Sequence, residues 1–279
     1  MQLGIRLHDM VDAPLEERLK IAKKQGFSCG HLALNKVIAE YSVSNEALTP
    51  GLGMYIQSLF DKQGMQIAVL GNYLNLATPD EKELVQSVER YKAHIRMASV
   101  MHIGVIGTET GAVNRDYKFE NYNHSEESLD LFIDRLRPVV RYAEKMGVII
   151  AIEPVWKHIV CTPKKAREVL DRIASPNLQI IFDPVNLLYI ANYEERDKVF
   201  EEAIELLGKD MAVVHLKDFI IKDYKIKSVA AGQGMMDYER ILRYIKTNKP
   251  YMHVTLENTT PLNAVEAREY IQNLYDAIQ

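Results

Sequence analysis

The chain has 279 residues, of which 47% are apolar and 26% are charged, so it is long enough to bury a large core and suits one barrel domain. Its 34 Lys and Arg against 38 Asp and Glu leave a formal charge of −4, which argues against a basic surface for DNA or RNA. No stretch approaches the roughly 18 apolar residues of a membrane helix. The N-terminal sequence has no signal-peptide pattern, and Cys29 and Cys161 form no CxxC pair, so we expect reduced thiols in a cytoplasmic protein.

Short apolar segments alternate with longer amphipathic segments along the whole chain. In the first half, strands are predicted at 3–8, 31–34, 65–75 and 102–107, and helices at 14–25, 49–63, 80–100 and 125–146. In the second half, strands are predicted at 148–154, 178–183, 212–218 and 252–258, and helices at 163–174, 194–207, 237–248 and 263–278. Thr162 is expected to cap the helix that Pro163 begins, and Gly26, Gly64 and Gly147 are expected to end helices.

Eight strand–helix units of roughly 35 residues each predict a single-domain (β/α)8 TIM barrel over residues 1–279. A doubly wound open sheet is the competing arrangement, but the first strand leads into HDMVDAPLEE without a glycine-rich phosphate turn. The longest predicted irregular segments, 35–48, 108–124 and 219–236, all follow strands. They are therefore expected at the barrel face where catalytic loops lie.

Each of the last four predicted strands ends in an ionisable residue. These residues are Glu153, Asp183, His215 and Glu257. An apolar strand tolerates such a group when it is paired or binds a metal, and three carboxylates at one barrel mouth would repel each other without a cation. We therefore predict one divalent metal ion held by these four residues. Oxygen ligands with one imidazole suit Mn, Co, Mg or Zn, and the sequence does not choose among them.

The other histidines are not among the predicted metal ligands. His94 falls on a predicted helix and is expected to be exposed to solvent. His8 and His31 lie in the first two strand regions and could face the site.

Several short motifs resemble those of the xylose isomerase-like barrel superfamily. They are EP at 153–154, FDPVN at 182–186, VHLKD at 214–218, GQG at 232–234 and LEN at 256–258. The superfamily includes sugar and sugar-phosphate isomerases and epimerases, such as the tagatose 3-epimerase and hydroxypyruvate isomerase groups. The resemblance runs through most of the chain in order and is strongest from residue 148 onward.

The resemblance implies a reaction as well as a metal site. Glu153, Asp183, His215 and Glu257 would be the metal ligands, and Glu153 and Glu257 would also be the acid/base pair. The metal would acidify the C–H bond next to the carbonyl of a keto sugar or sugar phosphate, and one Glu would remove that proton to give a metal-stabilised enediolate. Reprotonation by the other Glu would complete an epimerisation or isomerisation. The partner would be this small molecule, and a homo-oligomer is possible.

Three positions near the ligands depart from the tagatose-type pattern. Lys217 stands where the epimerases have an Arg that contacts substrate oxygens, so it is a candidate for a hydroxyl or phosphate contact. Asn186 replaces a His, and Ile159 stands where a second Glu is usual. These departures leave the metal ligands intact and the sugar unidentified.

Further candidates for substrate contact follow other predicted strands. They are Asn72, Glu109, Trp156 and His158, with Trp156 as a candidate for stacking on a sugar face. Gly232 and Gly234 are expected to shape a tight loop instead of binding phosphate, because no basic residue lies inside GQG.

The same barrel supports other functions. A dehydratase of an inositol-type keto sugar would use the same metal and enolate. An AP endonuclease-like phosphodiesterase would need extra His and Asp ligands for three zinc ions, and Asn186 stands at one such position. A non-catalytic sugar-binding barrel would have no use for both Glu153 and Glu257.

Overall fold

The computed structural model describes residues 1–279 and contains ten strands. The strands are β1 (Gln2–Arg6), β2 (Cys29–Leu32), β3 (Gln66–Gly71), β4 (Val105–Glu109), β5 (Ile149–Glu153), β6 (Leu178–Phe182), β7 (Met211–Leu216), β8 (Asp218–Lys222), β9 (Lys225–Val229) and β10 (His253–Leu256). Eight of them are parallel and close in the order β1-β10-β7-β6-β5-β4-β3-β2, whereas β8 and β9 form a separate antiparallel hairpin. The (β/α)8 barrel predicted from the sequence is confirmed.

Eight long helices and one short helix connect the strands. They are α1 (Leu15–Lys24), α2 (Leu34–Val37), α3 (Pro50–Gln63), α4 (Glu81–Val100), α5 (Glu126–Met146), α6 (Pro163–Ile173), α7 (Arg196–Leu207), α8 (Glu239–Asn248) and α9 (Ala264–Ala277). Thr162 accepts a hydrogen bond from the Lys165 amide, as its predicted capping role requires. Gly64 and Gly147 end α3 and α5 in the left-handed conformation. The eight long helices match the predicted segments to within a few residues, and only the single turn of α2 was not predicted.

Two apolar clusters hold the barrel together. The larger one contains 71 buried residues. The smaller one lines the barrel interior and consists of Val69, Ala151, Ile181 and Val213. Gly107 completes this interior layer, because a Cβ there would lie 2.6 Å from Ile181 Cδ1 and 2.8 Å from Val69 Cγ2. The interior is therefore a packed layer, as expected for an eight-stranded barrel.

The hairpin of β8 and β9 occupies part of the segment 219–236, which the sequence analysis described as irregular. Lys222 pairs with Lys225, so the loop has only two residues, Asp223 and Tyr224, with φ of 52° and 55°. Two successive positive φ values are typical of a type I′ turn, which usually contains Asn-Gly or Asp-Gly. The Asp-Tyr sequence lacks that signal, which explains why the hairpin was not predicted.

The expectation that His94 is exposed is wrong. Its side chain is buried on α4, beside buried Tyr91 and Met97, and its Nδ1 lies 3.0 Å from the Arg90 carbonyl oxygen. Both cysteines are free. None of the helices combines the length and the hydropathy needed to cross a bilayer.

Candidate metal and substrate site

Strand periodicity explains why the predicted ligands meet. Side chains two residues apart on a strand share a face, so residues two positions after the interior layer also point inward. Glu153 follows Ala151 in this way, Asp183 follows Ile181, and His215 follows Val213. These three ligands form the next layer of the barrel, toward the carboxyl ends of the strands.

Glu257 closes the cluster from the end of β10. His215 Nδ1 lies 3.4 Å from Glu153 Oε1 and 3.3 Å from Glu257 Oε1. Donor atoms of Glu153, Asp183 and His215 lie within 4.8 Å of one another, and so do those of His31, His215 and Glu257. All five residues are at most 4% exposed. The structure thus brings the four predicted ligands together and adds His31 beside them.

The donor set fits a divalent cation. Neither ring nitrogen of His215 has a hydrogen-bond partner, although the side chain is fully buried. A buried imidazole without partners is unfavourable unless a ligand binds it. Carboxylate oxygens surround this ring, and oxygen donors with one imidazole suit Mn, Co, Mg or Zn.

Asp183 is held by its own loop and by Lys217. Its Oδ1 accepts hydrogen bonds from the amides of Val185 at 3.0 Å and Asn186 at 3.3 Å, and its Oδ2 lies 2.6 Å from Lys217 Nζ. Burial raises the pKa of Asp183 to about 6 against the opposing charge of Lys217. One oxygen is therefore fixed by backbone amides, and the other faces the cluster.

Asn186 and Lys217 connect the ligands to each other. Asn186 Nδ2 donates to Glu153 Oε1 at 2.7 Å, and Asn186 Oδ1 accepts from Lys217 Nζ at 2.8 Å. Lys217 Nζ also lies 3.4 Å from Glu257 Oε2. Both residues were predicted from the sequence to contact substrate, and in the structure both are bonded to candidate metal ligands.

Arg6 was not among the predicted site residues. Its Nη1 lies 2.9 Å from Glu257 Oε2, and its Nε donates to Asp9 Oδ2 at 2.9 Å. Burial raises the pKa of Glu257, but the charges of His215, Lys217 and Arg6 outweigh burial and hold that pKa well below its usual value. Arg6 is the last residue of β1, but the strand predicted from the sequence extends to residue 8, so Arg6 did not stand at a predicted strand end.

A polar cavity of about 170 Å³ opens above the cluster. Its lining residues are Arg6, His8, His31, Lys36, Tyr73, Glu109, Glu153, Asn186, Lys217 and Glu257. His8 and His31 thus both face the site. Lys36 and Tyr73 also line the cavity, although neither was predicted from the sequence as a site residue.

Glu109 lies next to Glu153 because the register of β4 and β5 pairs the two residues. Burial and the Glu153 carboxylate raise the pKa of Glu109 to about 7. Its Oε2 accepts a hydrogen bond from the Tyr117 hydroxyl at 3.2 Å and lies 3.8 Å from His158 Nδ1. At neutral pH a substantial fraction of Glu109 therefore carries a proton beside the ligand cluster.

The remaining candidates for substrate contact, Asn72, His158 and Trp156, do not line the polar cavity. Asn72 and His158 are buried but line neither the polar cavity nor the larger cleft beside it. Tyr73 lines the cavity instead of Asn72, because Val69, Gly71 and Tyr73 share the inward side of the chain. Trp156 lies on the wall of the larger cleft.

Comparisons with known proteins agree with this architecture. The family model for the xylose isomerase-like TIM barrel matches residues 19–274. A search of curated proteins gives no match. Among solved structures, the chain is similar to a D-tagatose 3-epimerase-like protein at 20% identity and a TM-score of 0.76, covering 100% of this chain and 98% of that chain.

Two further structures are similar over nearly their full lengths. The zinc-binding IOLI protein has 18% identity and a TM-score of 0.77, with 100% of this chain and 99% of that chain covered. The 3-keto-D-glucoside 4-epimerase YcjR from E. coli has 15% identity and a TM-score of 0.72, with 98% of this chain and 99% of that chain covered. At these identities the similarity establishes the fold.

Proposed function

Because the chain belongs to the xylose isomerase-like TIM barrel family, we propose that it is a divalent-metal-dependent isomerase or epimerase of a keto sugar or sugar phosphate. The observation that carries this proposal is the buried His215 ring, which has no hydrogen-bond partner and is surrounded by Glu153, Asp183 and Glu257. Structural neighbours whose names describe a tagatose epimerase-like protein and a keto-glucoside epimerase support the substrate class.

Glu153, Asp183, His215 and Glu257 would hold the metal ion. When bound there, a divalent ion supplies charge that stabilises negative charge developing on a substrate carbonyl oxygen. Carboxyl side chains of the protein would then remove the proton and return it.

Glu257 is suited to accept the proton from the carbon next to the carbonyl. Arg6 and Lys217 lie beside its Oε2 and hold the carboxylate in place at the mouth of the barrel. Glu153 is suited to exchange a proton with the substrate from its position on β5, since Asn186 fixes its Oε1 and Glu109 lies next to it in the strand register. Two positioned carboxyl groups meet the requirement of general acid/base catalysis.

The proposal is tested by metal analysis of the purified protein, followed by hydrogen exchange. The metal-loaded protein is incubated in D2O with a panel of ketoses, ketose phosphates and keto acids. We expect deuterium at the carbon next to the carbonyl, together with the epimer or isomer. Loss of water from the exchanged substrate would indicate the dehydratase instead. No exchange on any member of the panel by metal-loaded protein would refute the proposal.

Variants of two glutamates make this test specific. Glu257→Gln is expected to abolish exchange and leave the fold intact. The exposed Glu266 on α9 has no ion pair, so Glu266→Gln is the matched control and should exchange at the normal rate. Normal exchange by the Glu257 variant would show that the acid/base assignment is wrong.

A further inference from the structure

The polar cavity is too small to hold a complete substrate of ordinary size. Its volume is about 170 Å³, whereas small-molecule sites usually have about 300–1,000 Å³. A larger cleft of about 590 Å³ lies beside it, and Glu109 and Asn186 line both. The two spaces therefore adjoin at these two side chains.

The walls of the larger cleft differ in chemistry from the polar cavity. The indole of Trp156 stacks on the ring of Tyr189, with 5.4 Å between centroids and 24° between planes. Val155, Val185, Leu188, Ile190 and Ile226 also line this cleft. Lys157, Lys225 and Ser228 line it as well, so its wall is mainly apolar, whereas the wall of the polar cavity is mainly charged and polar.

This apolar surface is open to solvent. Tyr189 is 39% exposed and Ile190 is 44% exposed, and Tyr224 at the tip of the β8–β9 hairpin is 90% exposed. Apolar groups exposed together in a concave site commonly mark a place where a ligand or partner binds. Its position next to the polar cavity, with Glu109 and Asn186 in both walls, favours the substrate itself as the occupant.

The position of Trp156 is fixed before any ligand binds. Its backbone amide donates to the Asn186 carbonyl oxygen at 2.8 Å, and its own carbonyl oxygen lies 2.8 Å from His124 Nε2. The ring of Phe119 packs against it, with 5.3 Å between centroids. An aromatic surface held in this way binds a flat group without first losing its own conformational freedom.

We propose that the substrate is a keto sugar bearing a flat apolar substituent, such as the aromatic group of an aryl glycoside. The sugar lies in the polar cavity against the strand-end carboxylates, and the substituent lies in the cleft of Trp156 and Tyr189. Glu109 and Asn186 flank the bond between the two parts. This inference rests on the proposed function and adds the class of sugar on which the site acts.

Trp156 provides a direct test, because it is the only Trp in the chain. Its fluorescence is followed while the metal-loaded protein is titrated with phenyl 3-keto-β-D-glucopyranoside and, separately, with methyl 3-keto-β-D-glucopyranoside. Stacking should make the phenyl glycoside bind roughly tenfold more tightly and change the Trp156 emission. Equal affinity for the two glycosides would overturn the inference.

Two tyrosine variants distinguish binding of the phenyl group in the cleft from non-specific binding elsewhere on the protein. Tyr189→Ala removes the ring stacked on Trp156 and should reduce the preference for the phenyl glycoside to about threefold or less. Tyr251 is 82% exposed and precedes β10, at the opposite end of the barrel, so Tyr251→Ala should keep the full preference. An unchanged preference in the Tyr189 variant, together with no change in the Trp156 emission on binding, would place the phenyl group outside the cleft.

The inference and the proposed function can fail separately. Exchange of deuterium into unsubstituted keto sugars with no preference for the phenyl glycoside would overturn the inference alone. Tight binding of the phenyl glycoside without exchange on any substrate would overturn the function alone. A Trp156 emission that shifts with protein concentration, together with dimers in sedimentation and no glycoside binding, would show that a second copy covers the cleft and would also overturn the inference.

Discussion

The ammonium nitrogen of Lys217 lies 2.6 Å from Oδ2 of Asp183, within the group of side chains suited to hold a divalent ion. Both side chains are buried, so little water screens their interaction. Lys217 therefore supplies part of the positive charge that the carboxylates need when no metal is bound. The same ammonium group opposes a second cation nearby.

Replacing Lys217 should therefore strengthen metal binding. Lys217→Met removes a positive charge next to Asp183 and Glu257, and we expect the affinity for Mn²⁺ to rise by about tenfold or more. Without metal, the variant leaves buried carboxylates without their counter-charge, which should cost about 3–5 kcal/mol of stability. Calorimetric titration and urea unfolding of the metal-free protein measure the two effects.

Lys36 provides the control for this variant. It also lines the polar cavity but is exposed and forms no ion pair, so Lys36→Met should change neither quantity appreciably. Weaker metal binding in the Lys217 variant would contradict the competition described above.

Removing the Asn186 side chain should weaken the site without unfolding the barrel. Asn186→Ala breaks the hydrogen bonds to Glu153 and Lys217, and the loss of such supporting bonds typically lowers metal affinity or activity by about 10- to 100-fold. Exchange rates and metal affinity are measured beside Asn248→Ala, an exposed position at the end of α8. Equal behaviour of the two variants would show that Asn186 does not position Glu153.

Asp218 should be essential to the loop that carries the hairpin. Its carboxylate accepts hydrogen bonds from the amides of Phe219 at 2.8 Å, Gly232 at 3.1 Å and Met236 at 2.8 Å. Asp218→Ala leaves these donors without partners, and we expect a loss of about 2–5 kcal/mol in the free energy of unfolding and faster proteolysis of the hairpin. Asp218→Asn keeps one acceptor oxygen and should lose less; equal losses would contradict this account.

Stability should fall in acid because of His94. Burial lowers its pKa to about 4, whereas the unfolded value is about 6.5. Between these values the unfolded chain binds more protons than the folded chain, so the free energy of unfolding decreases as the pH falls from 6.5 to 4, by up to about 3 kcal/mol. Urea unfolding at pH 7.5 and 4.5 should show a smaller pH effect for His94→Met than for the parent. His102 is exposed with a φ of 54°, so His102→Asn is the control and should keep the full effect.

The meeting of the strand-end side chains at the barrel mouth could be predicted because strand periodicity is local. Each of Glu153, Asp183 and His215 follows its own apolar run, and no long-range information is needed to find it. The same periodicity separates Asn72 from Tyr73, because Val69 faces the interior and Tyr73 is four residues later. Asn72 was predicted to line the site, although this alternation places it on the other side of the strand.

Other features depend on contacts that the sequence does not specify. The burial of His94 depends on which face of α4 packs against the barrel, and His94 lies on the same buried face as Tyr91 and Met97. The hairpin forms with an Asp223–Tyr224 turn that lacks glycine. The ion pairing of Lys217 with Asp183 required the relative positions of two neighbouring strands, β6 and β7.

The contact between Arg6 and Glu257 has a consequence for biosynthesis. It joins the ends of β1 and β10, which pair to close the barrel. During translation Arg6 is made before Glu257, so β1 keeps one edge unpaired until β10 has left the ribosome. The group of side chains that this ion pair completes is therefore among the last parts of the barrel to form, and a nascent chain that lacks β10 cannot assemble it.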